Sequence, residues 1–207
     1  FAPETIVGDG AGAMLLERLD HTRSLEDVEI ADALVVAGRL LRQLAIPASS
    51  GFRPLQTVAA ELSQDMPIRW EQFGRPMSRQ LLDQSCDLAR QLGMSTDNLL
   101  VNYDLHYANV LASARAAWLV VDPKVVTGDP AFGIAQLLWC RLEEIQAQGG
   151  LDRHFQRLIE AADLDMARAQ AWTLVRCVDY WLWGVSVGFT YDPARCQIIT
   201  DWLVQKM

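Results

Sequence analysis

The sequence carries little positive charge. Its 207 residues include 18 Lys and Arg against 26 Asp and Glu, a formal net charge of −8 at pH 7. No basic cluster of the kind that contacts nucleic-acid phosphates stands out along the chain, so we do not expect a nucleic-acid partner. An acidic surface suits cationic or neutral small molecules better, although many proteins carry such a charge for solubility alone.

The sequence also lacks an uninterrupted apolar run long enough to cross a membrane. The most apolar stretch covers residues 171–189 and is interrupted by Arg176 and Asp179. A buried helix fits this pattern better than a membrane span. We find no signal peptide and expect a cytoplasmic protein with no membrane partner. The chain starts at Phe1 rather than Met, and we expect that residues upstream of it are missing.

Cysteine is scarce, and no two cysteines form a C-x-x-C pair. All of them lie in apolar surroundings with helical spacing, which argues against a zinc site or a disulfide framework. Buried free thiols in a reducing compartment are the expected state. The cysteines are Cys86, Cys140, Cys177 and Cys196.

Hydrophobic spacing predicts a mainly α-helical protein with a small β element, that is, an α+β fold. Two strands at 5–7 and 13–19, joined by a glycine-rich turn at 8–12, are typical of a β-hairpin. Apolar residues then recur at helical spacing between Val28 and Leu44, after a capping box formed by Ser24 and Asp27. We expect further helices near residues 55–63, 77–92, 130–149, 151–161, 165–188 and 193–204.

Three short strands are predicted in the middle of the helical region, at 99–102, 110–111 and 118–121. The chain therefore divides into a hairpin unit, residues 1–20, and a helical unit, residues 21–207. The helical unit contains a β insertion at about 99–122.

Asp104, Asn109 and Asp122 lie beside these predicted strands. Each alone could be a turn or capping residue. Together their spacing suits phosphoryl transfer, in which one carboxylate orients the attacking hydroxyl and accepts its proton. An amide oxygen and a second carboxylate then hold Mg²⁺ against the nucleotide phosphates.

The motif around these residues resembles a known family. The pattern D-L-H-x-x-N-V-L, followed by an apolar strand and D-P, is similar to the catalytic and metal loops of the aminoglycoside phosphotransferases, which share the protein-kinase architecture. The segments WLVVDPKVVTGDPAFGIAQLLW and WTLVRCVDYWLWGV resemble the streptomycin 6-kinase and hydroxyurea phosphotransferase branch. The resemblance covers nearly the whole chain and implies a kinase-like C-terminal lobe that uses ATP and Mg²⁺.

The resemblance also implies roles for individual residues. Asp104 matches the catalytic aspartate, and Asn109 and Asp122 match the magnesium ligands. His106 occupies the place where protein kinases carry a lysine near the γ-phosphate, so it either contacts phosphate or braces the loop. Asp129 matches a position that ties the following segment to the catalytic loop.

The nucleotide-binding side is implied only in part. Glu17, Arg18 and Leu19 match the hinge whose backbone meets adenine. We find no glycine-rich phosphate loop, no ATP-binding lysine and no helix with its partner glutamate. The N-terminal lobe is therefore expected to be largely missing, and this chain alone is expected to bind ATP weakly and to be inactive. Self-association through an exposed N-terminal hairpin is a further hypothesis.

The chain departs from the family pattern at two places, and both concern residues that hold the catalytic loop. Asn102 and Tyr103 stand where the family has His and Gly before the catalytic aspartate. Gly133 stands where the family has an aspartate that bonds the catalytic loop. These changes motivate an alternative hypothesis, a catalytically impaired kinase homologue that acts as a binding or interaction module.

The acceptor is the least defined part of the prediction. The resemblance implies an ATP-dependent O-phosphotransferase for an aminoglycoside-like, streptomycin-type molecule, with hydroxyurea or another small metabolite as an alternative. Asp179 is a carboxylate inside an apolar helix. It either pairs with Arg176 or another basic residue, or faces the cleft and binds a cationic acceptor. Helical spacing assigns most tryptophans to the core, with a substrate contact as the alternative.

Overall fold

The protein is mainly helical, as the sequence predicts. The computed structural model describes residues 5–8 and 14–206, with side chains described from Glu17 onward. Short strands occupy the start and the middle of the chain, and helices fill most of the rest. In chain order the helices are α1 (Ile30–Leu44), α2 (Leu55–Gln72), α3 (Arg79–Leu92), α4 (Ala135–Trp139), α5 (Leu142–Ala147), α6 (Gly150–Ala162), α7 (Met166–Ser186) and α8 (Tyr191–Val204).

The predicted hairpin is present at the start of the chain. Its strands, β1 (Thr5–Gly8) and β2 (Met14–Leu16), pair in the antiparallel direction. β2 is shorter than the strand predicted over 13–19, and residues 17–19 instead connect it to the next strand. Most of the turn predicted at 8–12 lies outside the described residues.

A three-stranded antiparallel sheet follows, with the order β3-β5-β6. Its strands are β3 (Asp20–Ser24), β5 (Val110–Ala112) and β6 (Trp118–Val120). The sequence did not predict β3, because its side chains are polar and largely exposed and show no apolar alternation. Pairing of its backbone with β5 is what makes it a strand. This sheet joins the segment after the hairpin to the middle of the chain.

A second pair of strands holds the centre of the molecule together. β4 (Leu99–Asn102) lies antiparallel to β7 (Val125–Gly128), with Asn102 opposite Val125. β4 was predicted and β7 was not. The β insertion therefore extends to Gly128, beyond the predicted limit at 122.

The predicted capping box is present, but it caps a different element. The Ser24 side chain accepts a hydrogen bond from the Glu26 backbone, and Asp27 accepts one from the Ser24 backbone. The element they cap is a short 3-10 turn, Leu25–Asp27. Helix α1 begins later, and its own cap is Glu29, whose carboxylate accepts two backbone N–H groups.

Helix α2 is longer than predicted. It continues past the expected end at 63 and runs through Pro67 to residue 72. Proline removes one backbone hydrogen bond and normally ends or bends a helix. Here Met66 and Trp70 lie one turn apart on the same side and are both buried. Their packing into the core holds the second half of the helix in place.

The helix predicted over 130–149 is broken into shorter pieces. Asp129 accepts a hydrogen bond from the Ala131 backbone and caps the segment, as predicted. The first piece is a 3-10 turn, Pro130–Gly133, which is followed by α4 and α5. The break between α4 and α5 falls at Arg141, whose backbone angles (φ −133°, ψ 39°) are not helical.

Helix α7 is the centre of the helical part. It packs against α2, α3, α4 and α8 and is buried on most sides, with Trp172 completely inaccessible. The cysteines are free thiols; the expected burial is confirmed for Cys86, Cys177 and Cys196, whereas Cys140 is half-buried. Within the described part of the chain, no helix is both long and apolar enough to span a bilayer.

Candidate active site

The predicted catalytic aspartate lies in the loop after β4. The Asp104 backbone N–H donates to Oδ1 of Asn102 at 3.2 Å. Leu105 and Tyr107, both buried, anchor the loop to the core, and the Tyr107 hydroxyl donates to the Leu137 carbonyl at 2.7 Å. Burial raises the pKa of Tyr107 well above its ordinary value, so it stays a neutral hydrogen-bond donor. The sequence motif does not indicate this anchor.

Lys124 pairs directly with the predicted base. Its Nζ lies 2.6 Å from Oδ2 of Asp104. The hydrogen bond to that carboxylate raises the pKa of Lys124 and keeps it charged. The lysine side chain is 57% exposed and that of Asp104 only 20%, so the lysine covers the carboxylate from the solvent side. The motif contains Lys124, but the sequence alone assigned it no role.

The two predicted magnesium ligands lie at the same end of the β5–β6 pair. Val110, which follows Asn109, is opposite Val120 in the antiparallel register. The Val121 backbone N–H donates to the Asn109 carbonyl at 2.9 Å. Asp122 comes next in the chain, so the backbones of the two predicted ligands lie at one end of this strand pair.

Asp122 has an unusual backbone. Its φ is +46°, in the left-handed region that residues other than glycine rarely adopt. The conformation costs free energy and is common at functional sites, where it aims a side chain. The residue is also exposed. A carboxylate held in this way is available to a ligand.

The segment 121–124 contains Asp122 and therefore connects it to the other two candidate site residues, Asp104 and Asn109. Val121 contacts the residue at 109, and Lys124 contacts Asp104. Asp104 and Asn109 lie in the connection between β4 and β5, Asp122 lies in the connection between β6 and β7, and this segment bonds the second connection to the first.

His106 starts the 3-10 turn Tyr107–Asn109 and is half-buried. Its carbonyl accepts a hydrogen bond from the Asn109 backbone at 3.0 Å. This bond involves only the backbone of His106, so bracing of the loop by its ring stays a prediction. A phosphate contact by its ring stays a prediction.

The predicted hinge residues connect β2 to β3. The Glu17 carboxylate accepts a hydrogen bond from Ser113 at 3.0 Å and pairs with Arg115 at 2.5 Å. It thereby fixes the connection against the turn between β5 and β6. Arg18 is exposed and Leu19 is half-buried. Adenine binding by this backbone stays a prediction.

The structure corrects the expected role of Asp129. Its Oδ2 accepts hydrogen bonds from Arg168 Nε at 2.8 Å and from Trp172 Nε1 at 2.9 Å. The residue is 4% exposed. Its side chain ties the end of β7 to α7, rather than to the catalytic loop. Trp172 and Arg168 are distant in sequence, so the motif did not predict these partners.

Gly133 explains one departure from the family pattern. A Cβ atom built on it would lie 2.6 Å from the Asn102 carbonyl oxygen, closer than real Cβ contacts. The strand that leads to the catalytic loop thus packs directly on the backbone at 133. An aspartate cannot occupy this position unless β4 moves.

Tyr103, the second departure, packs into an aromatic group under the loop. Its ring centroid is 6.0 Å from that of Phe132. The Arg176 guanidinium lies 4.8 Å from the Phe132 centroid and 5.7 Å from that of Tyr103. Arg176 also donates to the Tyr103 carbonyl at 3.3 Å. The bulky side chain is accommodated by the core.

Asp179 is paired, which was one of the two predicted alternatives. Its carboxylate lies 2.5 Å from Arg69 and 3.8 Å from Arg176. The Asp179 side chain is 17% exposed. The pair with Arg69 joins α2 to α7, and the pair with Arg176 lies within α7. A contact with a cationic substrate stays a prediction.

A column of stacked aromatic rings leads from the core to the surface. Trp139 stacks on Tyr180 with 4.5 Å between centroids, and Tyr180 stacks on Trp183 with 5.1 Å. Trp183 is 41% exposed. Next to Trp139, burial raises the pKa of the Cys140 thiol to about 12, and nearby carboxylates, among them Asp104, add to the shift. The column therefore starts in the core at α4 and ends at the surface.

The chain matches the model of the aminoglycoside/hydroxyurea antibiotic resistance kinases over residues 5–188. It belongs to that family. The streptomycin 6-kinase of Streptomyces glaucescens is 37% identical over 191 residues, and that of Streptomyces griseus is 36% identical over 186 residues. A hydroxyurea phosphotransferase of Kitasatospora aureofaciens is 37% identical over 199 residues. The resemblance found in the motif is confirmed.

The matches cover most of this kinase-family chain but only part of each relative. They include 89%, 87% and 94% of the chain, and 62%, 61% and 57% of the respective relatives. The chain therefore spans about six tenths of the length of these curated proteins.

Solved structures confirm the kinase-like fold. A thermostable mutant of the aminoglycoside phosphotransferase APH(4)-Ia gives a TM-score of 0.65 at 17% identity, over 99% of this chain and 77% of that one. Choline kinase from Cryptosporidium parvum Iowa II gives 0.59 at 13% identity, over 99% and 72%. Identities this low show a shared fold and nothing finer.

Proposed function

We propose that the complete protein transfers the γ-phosphoryl group of ATP to a hydroxyl group of a small molecule. Asp104 acts as the base that orients the hydroxyl and accepts its proton. The observation that carries the proposal is the segment 121–124, which is bonded to Asn109 at one end and to Asp104 at the other, the two ends of the loop between β4 and β5.

Asn109 and Asp122 fit a magnesium ion of the kind used in this chemistry. Both offer hard oxygen atoms, which Mg²⁺ prefers, and Asp122 is exposed with a fixed backbone. The ion would neutralise charge on the phosphates. Among the described residues, no three His, Cys, Asp or Glu side chains group closely enough to hold a metal. The remaining ligands would then be phosphate and water oxygens, so tight binding of Mg²⁺ should require the nucleotide.

The acceptor is proposed to be a small hydroxylated molecule, which is cationic in the case of a streptomycin-type substrate. The names of the relatives, streptomycin 6-kinase and hydroxyurea phosphotransferase, supply the two first candidates. The net charge of −8 favours the cationic one. In that case Asp179 would exchange an arginine partner for the substrate.

Three further proposals come from the sequence. The backbone of Glu17, Arg18 and Leu19 would meet adenine, and the protein would work in the cytoplasm. The β1–β2 hairpin would allow two copies to associate through a free strand edge. Sedimentation of the chain at several concentrations tests the last of these, and a monomer at all concentrations would contradict it.

Calorimetric titration of Mg-ATP into two proteins tests the proposed function. One is the 207-residue chain and the other is a form extended upstream. We expect binding by the extended form and weak or no binding by the chain. The extended form should then phosphorylate streptomycin or hydroxyurea, and an Asp104→Asn variant should not.

Failure of both proteins to bind Mg-ATP would contradict the proposal. It would favour the alternative of a binding module, for which the departures at Asn102, Tyr103 and Gly133 are the specific support. Binding without transfer to either acceptor would instead point to another small hydroxylated substrate, and a wider acceptor screen would follow.

A further inference from the structure

Asn102 connects the two loops of the candidate active site. It is the last residue of β4 and is only 4% exposed. Its Oδ1 accepts hydrogen bonds from the backbone N–H groups of Asp104 and Lys124, both at 3.2 Å. One buried oxygen atom thus holds the loop of the predicted base and the segment that follows Asp122.

The backbone makes only the first part of this connection. The ladder between β4 and β7 ends at the Asn102–Val125 pair, and one more bond joins the Tyr103 N–H to the Lys124 carbonyl at 3.0 Å. Beyond this point the two loops separate. The N–H groups of Asp104 and Lys124 then depend on the asparagine side chain for an acceptor.

Only the oxygen of this side chain is used. Nδ2 of Asn102 is buried and has no hydrogen-bond partner in the part of the chain that the structure describes. A carboxylate of the same shape would keep both accepted bonds, whereas a methyl group would lose both. A comparison of the two substitutions therefore separates the loss of the hydrogen-bond acceptor from the loss of side-chain volume.

The position of Asn102 also depends on Gly133. The Asn102 carbonyl oxygen lies only 2.6 Å from the place that a Cβ atom on residue 133 would take. The two departures from the family pattern are therefore in contact. The close approach of the backbone, which a larger residue at 133 would prevent, places the asparagine oxygen between the two loops.

We propose that Asn102 is a positioning residue, which fixes the Asp104 loop against the Asp122–Lys124 segment through its single amide oxygen. The inference rests on the proposed phosphotransferase function for its catalytic consequence. The departure at Asn102 suggested, from the sequence, an impaired enzyme. In this proposal Asn102 instead takes over the holding of the same loops.

Amide hydrogen exchange of the 207-residue chain, followed by NMR, tests the contact itself. In Asn102→Ala the Asp104 and Lys124 amides should exchange about 3- to 10-fold faster, the effect of losing one hydrogen bond. In Asn102→Asp both should stay protected. The Tyr103 amide, which bonds a backbone carbonyl, serves as the internal control. Asn98→Ala, an exposed asparagine just before the same strand, is the matched variant.

Kinetics of the complete protein test the consequence. Asn102→Ala should lower kcat about 10- to 100-fold and raise the Mg²⁺ concentration needed for half-maximal rate, as loss of an orienting contact does. The KM for the acceptor should change little, and Asn102→Asp should recover most of kcat. A purely structural role would instead lower the melting temperature of Asn102→Ala without this change in kcat.

Unchanged exchange of both amides in Asn102→Ala would overturn the inference. So would faster exchange combined with a normal kcat. If the unsubstituted complete protein transfers no phosphate at all, the proposed function and the catalytic part of the inference both fail. The exchange experiment would still decide whether Asn102 joins the two loops.

Discussion

Replacing the carboxylate of Asp104 removes the proposed base with the least change in side-chain shape. Asp104→Asn keeps the volume and loses the proton acceptor, so kcat of the complete protein should fall about 10²- to 10⁴-fold. The ion pair with Lys124 is partly exposed, and its loss should change stability by about 1 kcal/mol or less. Phosphate-transfer rates and thermal denaturation measure the two effects separately.

Asp87→Asn is the matched control for this change. Asp87 lies on α3, is exposed, and pairs with Arg90. Its substitution should leave both kcat and the melting temperature nearly unchanged. An Asp104→Asn variant with a normal kcat would refute the role of Asp104 as base.

Asp129 should contribute more to the free energy of unfolding than an exposed carboxylate does. Asp129→Ala leaves the Trp172 N–H without its acceptor and removes the partner of Arg168. Loss of a buried partner costs about 3–5 kcal/mol, and we expect about 2–3 because Arg168 is partly exposed. Urea unfolding measures the change. Asp83→Ala, which breaks an exposed pair with Arg79, should cost less than about 0.5 kcal/mol, and equal losses would contradict this account.

The sequence points to the residues that are proposed to act through their own chemistry, and their roles stay predictions. Asp104, Asn109 and Asp122 occur within a short segment at a recognisable spacing. Tyr107 and Lys124 were not assigned roles, because their partners are fixed by packing and by strand register. The pairing of β4 with β7 places Lys124 beside Asp104, and β7 itself was not predicted.

At the scale of elements, the close contact between the turn at 130–133 and β4 gives a further prediction. Gly133→Ala places a methyl group 2.6 Å from the Asn102 carbonyl oxygen and 3.3 Å from Leu41. The φ of Gly133 is not positive, so strain in the turn itself is not the cause. Overpacking of this kind costs about 1–3 kcal/mol.

Thermal and urea unfolding of the chain measure that cost. Because the methyl group pushes on β4, kcat of the complete protein should fall as well. An unchanged melting temperature would mean that β4 does not lie against the backbone at 133.

Elements that were missed have a common physical origin. β3 is polar, and β7 ends in Thr127 and Gly128, so neither shows a clear apolar pattern. Each strand forms because its backbone is hydrogen-bonded to the backbone of a neighbouring strand. Helix α2 was predicted too short for a related reason, since local propensity ends it near Pro67 and tertiary packing continues it.

At the scale of the whole molecule, the sequence predicted the architecture well. Long amphipathic helices are visible in the apolar spacing, and the central helix α7 is apolar on nearly every side. The family match at residues 5–188 adds the kinase-like arrangement. The apolar spacing does not predict which side chains form contacts between helices, such as the ion pair between Arg69 and Asp179.

The buried thiols and phenols predict a loss of stability in alkali. Burial raises the pKa of Cys140 to about 12 and raises the pKa values of Cys86, Cys196 and Tyr107. Their neutral forms are thus favoured in the folded state, while in the unfolded chain the thiols ionise near pH 9. Stability should be fully present below pH 9 and should fall as the pH rises toward 12.

Melting temperatures between pH 7 and pH 11 measure this dependence, with Cys140→Ala as the comparison. The variant cannot ionise at that position, so its melting temperature should fall less steeply above pH 9 than that of the parent. The two curves should run parallel below pH 8, where the thiol is neutral in both states. Parallel curves over the whole range would mean that Cys140 is accessible to water in the folded protein, and that the core beside the catalytic loop is looser than its packing indicates.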